Sequence, residues 1–262
     1  MKTLKIYQVD AFAERRFEGN PAAVVPLTEW LSDTEMLQIA MENNLSETAF
    51  YIVEQDQIFL RWFTPAVEVD LCGHATLATA HVLFQHEGFV GEEITFYSPR
   101  SGLLKVKKEQ DLLTLDFPAD KSESIELDKK MLDAFDPKPT EAYRGKTDWM
   151  FVFENESQIR DLEFDLAKIA EFPVRGVIAT ARGKEFDFVS RFFAPQSGVP
   201  EDPVTGSAHT TLTPIWAERL GKHQLQARQI SARGGNVSCT WNGDRVLLGG
   251  KAVTYLIGEI FI

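Results

Sequence analysis

The stretch RWFTPAVEVDLCGHATLATA (residues 61–80) decides the fold, because a similar passage returns in the second half of the chain. It predicts a strand, a turn marked by proline, a Gly-His pair and a helix of small residues. The later passage, RFFAPQSGVPEDPVTGSAHTTLTP (191–214), repeats these features in order, and Gly73 aligns with Gly206 if the second copy carries three extra residues. The spacing is half the chain, so the pattern predicts two similar halves related by duplication. Chance similarity between two strand-turn-helix units is the alternative.

The two helices that follow the repeated passages are predicted to be buried. Ala75–Gln85 and Ala208–Leu220 are apolar nearly all round, which is typical of a helix enclosed by other elements. Short apolar or β-branched runs predict many strands in both halves. The sequence therefore predicts an α+β fold in which strands surround one central helix in each half. In chain order the predicted strands are Leu4–Asp10, Ala49–Val53, Ile58–Phe63, Leu103–Lys107, Leu112–Phe117, Gly176–Ala179, Asp187–Phe193, Gln226–Ala232, Val237–Trp241, Val246–Gly249 and Ala252–Ile262.

Three further helices are predicted outside the repeat. Ser32–Asn43 starts with a Ser-x-x-Glu capping box made by Ser32 and Glu35, a strong sign of a helix N-terminus. Asp128–Phe135 and Gln158–Ile169 have the pattern of surface helices.

The composition excludes several classes of function. The chain has 262 residues, 44% of them apolar, and a formal net charge of −12, which argues against nucleic acid as a partner. No apolar run approaches the roughly 20 residues of a membrane span, and the first residues, MKTLKIYQVDAF, predict a strand rather than a signal peptide. Cys72 and Cys239 are too few for a disulfide framework, so we expect a reducing cytoplasm.

Both central helices are predicted to begin at paired positions, Gly73-His74 and Gly206-Ser207. A helix start leaves backbone N–H groups unpaired and carries a partial positive charge. Two halves that face each other would aim both starts into one cleft, where a carboxylate could bind without a basic patch.

Glu47, in the stretch NNLSETAF (43–50), is the first candidate for acid–base chemistry. It stands between the predicted end of a helix and the start of an apolar strand. Burial at such a junction would raise the pKa of its carboxyl toward the range useful for a general acid or base. The alternative is an ordinary exposed glutamate in a turn.

The other candidates lie in the two repeated passages, and each has a structural alternative. His74 could be a general base, a metal ligand or a residue that caps the helix. Cys72 could be a thiolate activated by the helix start or a small buried side chain. A serine nucleophile is disfavoured because no Gly-x-Ser-x-Gly elbow is present, and a metal site is disfavoured because no local ligand spacing such as His-x-x-x-His occurs. The candidates in the second passage are Glu201, Asp202, Thr205, Ser207 and His209.

Four motifs together resemble the phenazine-biosynthesis PhzF-like isomerase family: GNPAAVV (19–25), LSETAF (45–50), RWFTPAVEVDLCGHATLA (61–78) and EDPVTGSA (201–208). Their order and spacing cover nearly the whole chain. The resemblance implies a diaminopimelate-epimerase-like fold of two similar β-barrel-like halves, each wrapped round a central helix. We expect residues 1–117 with 252–262 to form one half and 118–251 the other, with the active site in the cleft between them.

The resemblance also implies roles for individual residues. Glu47 matches the catalytic carboxylate that shuttles a proton, and the family works with neither a metal nor an organic cofactor and is commonly homodimeric. The other positions expected to act in catalysis are His74, Asp202 and Ser207. The positions expected to contact substrate are Asn20, Cys72, Gly73, Thr205 and Gly206.

The repeat argues against one related mechanism. Diaminopimelate epimerases and proline racemases use one cysteine from each half as an acid–base pair. Here Cys72 holds the first of those positions, but Thr205 aligns with the second, and a hydroxyl is far too weak an acid to replace a thiol near neutral pH.

The sequence therefore predicts a cofactor-independent isomerase that acts on a small carboxylated substrate, with Glu47 moving a proton between two carbons. A non-catalytic carboxylate-binding protein, a one-cysteine racemase or epimerase, and a Cys72-dependent hydrolase or transferase are the alternatives. The substrate itself cannot be named from these residues.

Overall fold

The computed structural model describes residues 2–262, which fall into two compact units. The first unit comprises the described residues up to Asp116 together with Gly249–Ile262, and the second comprises Phe117–Leu248. Each contains both strands and helices, so the predicted α+β class is confirmed at this level. None of the helices in this range has the length and apolar composition needed to cross a bilayer.

The strands are β1 (Thr3–Ala11), β2 (Asn20–Pro26), β3 (Glu47–Glu54), β4 (Gln57–Phe63), β5 (Glu68–Val69), β6 (Glu93–Ser98), β7 (Gly102–Glu109), β8 (Leu112–Pro118), β9 (Glu123–Ile125), β10 (Phe135–Asp136), β11 (Glu141–Arg144), β12 (Asp148–Val152), β13 (Glu163–Phe164), β14 (Gly176–Arg182), β15 (Phe188–Phe193), β16 (Gln224–Gln229), β17 (Gly235–Asn242), β18 (Arg245–Gly250) and β19 (Ala252–Phe261). The helices are α1 (Asp33–Asn43), α2 (Gly73–Gln85), α3 (Lys129–Asp133), α4 (Glu156–Arg160), α5 (Leu166–Ile169) and α6 (Gly206–Leu220), with a short 3₁₀ turn at Pro195–Ser197.

In the first unit the strands surround α2. β1 pairs antiparallel with both β19 and β2, β2 runs parallel to β3, and β3 pairs antiparallel with β4. β4 runs parallel to β6, and β6, β7 and β8 follow as antiparallel neighbours. Because α2 packs against β1, β2, β3, β7 and β19, it is buried on almost every face, as its apolar sequence predicted.

Helix α1 ends where the strand that carries Glu47 is about to begin. Its capping box is formed, since Ser32 accepts from the backbone N–H of Glu35 and the Glu35 side chain accepts from the backbone of Ser32. Asn44 ends the helix in the left-handed conformation, with φ of 49°. The Asn43 side chain then donates to the Thr48 hydroxyl at 3.1 Å, which fixes the start of β3.

In the second unit α6 packs against β16 and β17, and most of its residues on the first three turns are buried. β9, β11 and β12 are antiparallel neighbours, β12 runs parallel to β14, β14 pairs antiparallel with β15, and β15 runs parallel to β16. An aromatic cluster fills the core beside these strands, and Trp216 donates its indole N–H to the buried Thr180 hydroxyl at 3.0 Å.

The repeated passage folds alike in both copies. In the first unit Arg61 holds Glu68 with two parallel bonds, Nε to Oε1 at 2.7 Å and Nη2 to Oε2 at 2.9 Å. In the second unit Arg191 holds Glu201 through the same pairs of atoms at 2.7 Å and 2.9 Å. Each arginine also lies over the phenylalanine two residues further along the chain. These matched contacts support the predicted duplication rather than chance similarity.

Two predicted helices differ in the structure. Gln158–Ile169 is not one helix, since α4 ends at Arg160 and α5 starts after the N-cap Asp165, with β13 between them. The predicted single helix does not form, because Phe164 pairs with β10 and its ring packs on Phe193 with the ring centroids 4.2 Å apart. Helix α3 is likewise shorter than predicted and spans only Lys129–Asp133.

Some strands also differ from the predictions. β16 ends at Gln229 rather than at Ala232, because Ser231 begins a turn in which its hydroxyl accepts from the N–H of Gly234 at 3.1 Å. The strands that the sequence did not predict include β2, β6, β11 and β12.

Candidate active site

Glu47 is the first residue of β3, where it lies beside Ala22 in the parallel pairing with β2. Its side chain is 18% exposed. The predicted position between a helix end and an apolar strand is therefore confirmed, and the alternative of a fully exposed turn residue is wrong.

His74 lies in the first turn of α2 and contacts Glu47. Its Nε2 is 3.1 Å from Glu47 Oε2, and its Nδ1 is 3.5 Å from Cys72 Sγ. Burial lowers the pKa of His74 to about 3, so the imidazole is neutral at physiological pH. The structure thus brings together three predicted residues, Glu47, Cys72 and His74, in the first unit.

The chemistry of these three groups favours one arrangement of their protons. A proton on Nε2 of a neutral His74 would face Glu47 Oε2 across 3.1 Å, a contact without hydrogen-bond alignment. Nδ1 is then the acceptor, and the weakly acidic Cys72 thiol is its nearest donor. Cys72 is therefore placed to favour the tautomer of His74 that carries its proton on Nε2.

The same three residues have ligand atoms within 4.8 Å of one another, a separation compatible with a metal ion. The imidazole contacts Glu47 through one ring nitrogen and Cys72 through the other, and an ion held here would use only one of them. The predicted independence from metal stays a prediction.

A second group of predicted residues lies at the start of α6. Thr205 is the N-cap, yet its hydroxyl makes no bond to the helix and donates instead to the Asp202 carboxylate. Ser207 is exposed at the first turn, where Arg175 donates to its hydroxyl at 2.8 Å. Gly206 has open space where a side chain would stand. These contacts fit a polar site that receives an anionic group.

The remaining candidates have structural partners. Glu201 is held by Arg191, as described above. His209 is fully buried beside Phe188, and its Nδ1 donates to the Thr205 carbonyl at 2.8 Å. Burial lowers the pKa of His209 to about 4, so this ring is also neutral. Asn20 is fully buried at the start of β2.

Sequence reasoning missed two residues that hold the second group in place, Arg175 and Gln229. Arg175 donates to the Ser207 hydroxyl, and its Nε donates to Asp148 Oδ1 at 2.9 Å. Asp148 is only 2% exposed. Gln229 bonds both Thr205 and Asp202. No local pattern marks these residues, because their partners lie 24 to 32 positions away in the chain.

A neutral imidazole against a carboxylate at a helix start supplies the groups that an enzyme needs to take up and return a proton. The fold and this cluster fit the class of isomerases that work by acid–base chemistry.

Comparison with known proteins identifies the family. The sequence pattern of the phenazine biosynthesis-like protein family (PhzC-PhzF) matches residues 9–258. Two uncharacterized isomerases of Pseudomonas aeruginosa are similar over nearly their whole lengths, one 49% identical over 99% of both chains and the other 51% identical over 98% of both. The crystal structure of a PhzF-family protein from Enterococcus faecalis is 45% identical, covers 100% of both chains and superimposes with a TM-score of 0.97. The chain therefore belongs to the phenazine biosynthesis-like family and is an isomerase, which confirms the resemblance carried by its motifs.

Proposed function

We propose that the protein is a cofactor-independent isomerase that moves a proton between two carbons of a small carboxylated substrate, with Glu47 as the acid–base group. The observation that carries this proposal is the contact between Glu47 and the neutral, buried His74. The carboxylate takes a proton from one carbon and returns it to the other.

His74 supports each half of this cycle from the same position. In this proposal a proton on Nε2, which lies 3.1 Å from Glu47 Oε2, stabilises the carboxylate while it is ionised and ready to accept a proton. A doubly protonated ring would be costly inside the protein, as the low pKa of His74 indicates, so the imidazole holds Glu47 without competing for the substrate proton.

The substrate class follows from the helix starts. Unpaired backbone N–H groups at the beginning of α2 and α6 attract a carboxylate, and the chain supplies this attraction despite its net charge of −12. Asp202 and Ser207 are proposed, from the family resemblance, to bind polar groups of the substrate and to assist proton placement. The same resemblance supports barrel-like halves and a homodimer as parts of this proposal.

The test is proton exchange with solvent. The protein is incubated in D₂O with a panel of small unsaturated or hydroxylated carboxylic acids, and deuterium incorporation is followed by NMR. Glu47→Gln should lower the exchange rate roughly 10²–10⁴-fold, the usual contribution of a positioned acid–base group. Glu54→Gln, at an exposed position at the other end of the same strand, is the matched control and should exchange at the wild-type rate.

The outcomes separate the candidate functions. Wild-type exchange in Glu47→Gln would refute the proposed role. Carboxylate binding by calorimetry without exchange of any acid would favour the non-catalytic binding protein. A one-cysteine mechanism is the second candidate, because Cys72 contacts His74. Cys72→Ala tests this mechanism: if the thiol reacts directly with the substrate, the variant should show no turnover.

A further inference from the structure

The side chain of Gln229 bonds the turn that carries Asp202. Gln229 is the last residue of β16 and is fully buried. Its Oε1 accepts from the backbone N–H of Thr205 at 2.9 Å, and its Nε2 donates to the backbone carbonyl of Asp202 at 2.7 Å. Nε2 also lies 3.3 Å from the Thr205 hydroxyl oxygen.

These contacts leave one orientation for the amide. Because the Thr205 N–H can only donate, the oxygen of the amide must face it, and the NH₂ group must then face Asp202 and the Thr205 hydroxyl. The NH₂ group donates to the Thr205 hydroxyl oxygen, so the proton of that hydroxyl points elsewhere. It points to the Asp202 carboxylate, to which Thr205 donates.

A helix N-cap would ordinarily use its hydroxyl to accept from the first helical N–H groups. Thr205 makes no such bond, and its own backbone N–H is satisfied by Gln229 instead. Ser231 adds a second anchor by donating to the carbonyl of Pro203 at 2.7 Å. The turn is thus tied at both ends of its backbone, and the hydroxyl of Thr205 serves the carboxylate of Asp202.

We propose that Gln229 is a positioning residue, which directs the Thr205 hydroxyl onto Asp202 and so holds that carboxylate in its working orientation. The relay runs from amide to hydroxyl to carboxylate. This inference rests on the proposed function for the role of Asp202, but the contacts themselves can be tested without a substrate.

The first measurement therefore uses the protein alone. ¹³C-carboxyl-labelled aspartate reports the Asp202 resonance by NMR. Gln229→Met keeps the length of the side chain and removes the amide, so it should shift the Asp202 resonance. Gln226→Met, on the exposed face of the same strand, is the matched control and should leave it in place. If Gln229→Met does not fold, Thr205→Val takes its place, because it removes only the hydroxyl.

The second measurement uses exchange of the acid found active in the D₂O panel. Gln229→Met should lower kcat/KM roughly 10- to 100-fold, as expected for a displaced catalytic contact. Gln229 also bonds the Asp202 carbonyl directly, so if the relay acts through the hydroxyl, Gln229→Met combined with Thr205→Val should cost less than the sum of the two single changes. A residue with a merely structural role would give additive losses.

An unshifted Asp202 resonance in a folded Gln229→Met or Thr205→Val variant overturns the inference, and so do additive losses of activity. If the Asp202 resonance shifts but the Glu47→Gln variant exchanges deuterium at the wild-type rate, the positioning role of Gln229 is supported and only the proposed function is refuted.

Discussion

His209 should make the stability of the second unit fall in mild acid. The ring is fully buried, and burial lowers its pKa to about 4 from an ordinary 6.5. An unfolded chain therefore binds a proton at His209 throughout this window while the folded chain does not. The free energy of unfolding must decrease as the pH falls from about 6.5 to about 4, because protons favour the state that binds more of them.

The magnitude follows from linkage. One such group changes the free energy of unfolding by about 1.4 kcal/mol per pH unit, so the whole window is worth roughly 3 kcal/mol. His209→Asn keeps an amide N–H near the position of Nδ1, which donates to the Thr205 carbonyl, and removes the titrating ring. It leaves a small cavity and lowers stability at pH 7, but the pH dependence should become shallower by about 1.4 kcal/mol per unit near pH 5.

The assay is urea unfolding at a series of pH values, followed by tryptophan fluorescence and circular dichroism. His223→Asn, at an exposed imidazole in the same unit, is the matched control for replacing a histidine by asparagine. If His209→Asn and the wild type lose stability with the same slope between pH 6 and pH 4.5, the assignment of a buried neutral ring to His209 is wrong.

Two further predictions concern stability. Arg175→Met should destabilise the protein by about 1–3 kcal/mol in urea unfolding, because it leaves the buried carboxylate of Asp148 without its partner while the arginine side chain itself is 42% exposed; a loss below about 1 kcal/mol, typical of an exposed ion pair, would contradict this. Gly19→Ala should lower the free energy of unfolding by more than about 2 kcal/mol, since a left-handed alanine costs about 1–2 kcal/mol by itself and its Cβ would lie 2.1 Å from the Ala11 carbonyl oxygen. Gly243→Ala is the control, because this glycine is equally left-handed but has open space around it, so the free energy of unfolding should fall only by the cost of the left-handed backbone.

Local signals in the sequence predicted the elements that position the first group. The capping box of Ser32 and Glu35 located α1, and the all-round apolar composition of α2 predicted its burial. Because Glu47 follows the end of α1 within a few residues, its place at the start of a strand could be predicted from neighbours alone. Such features need no knowledge of distant contacts, and they proved reliable here.

Contacts between distant parts of the chain were beyond the sequence. The helical pattern of Gln158–Ile169 was overridden by the packing of Phe164 on Phe193. Arg175 and Gln229 bond residues at the start of α6 only because the folded chain brings them there, and no local sequence pattern predicts these contacts. For the same reason spacing did not predict the contact between His74 and Glu47, 27 residues apart; the family resemblance placed both residues in one site without predicting their contact.

The two copies of the opening passage carry different residues at the helix N-cap, and these two residues contact different candidate site residues. Cys72 and Thr205 occupy the N-cap of α2 and α6, and neither side chain caps the backbone N–H groups of its own helix. Cys72 turns to His74 and Thr205 to Asp202, so each N-cap serves a candidate site residue instead. A hydroxyl committed to a carboxylate cannot act as the second thiol of a two-cysteine racemase. The arginine–glutamate pairs are present in both copies while the N-caps differ, so the two copies share a scaffold, and the proposed acid–base residue, Glu47, lies outside the repeat.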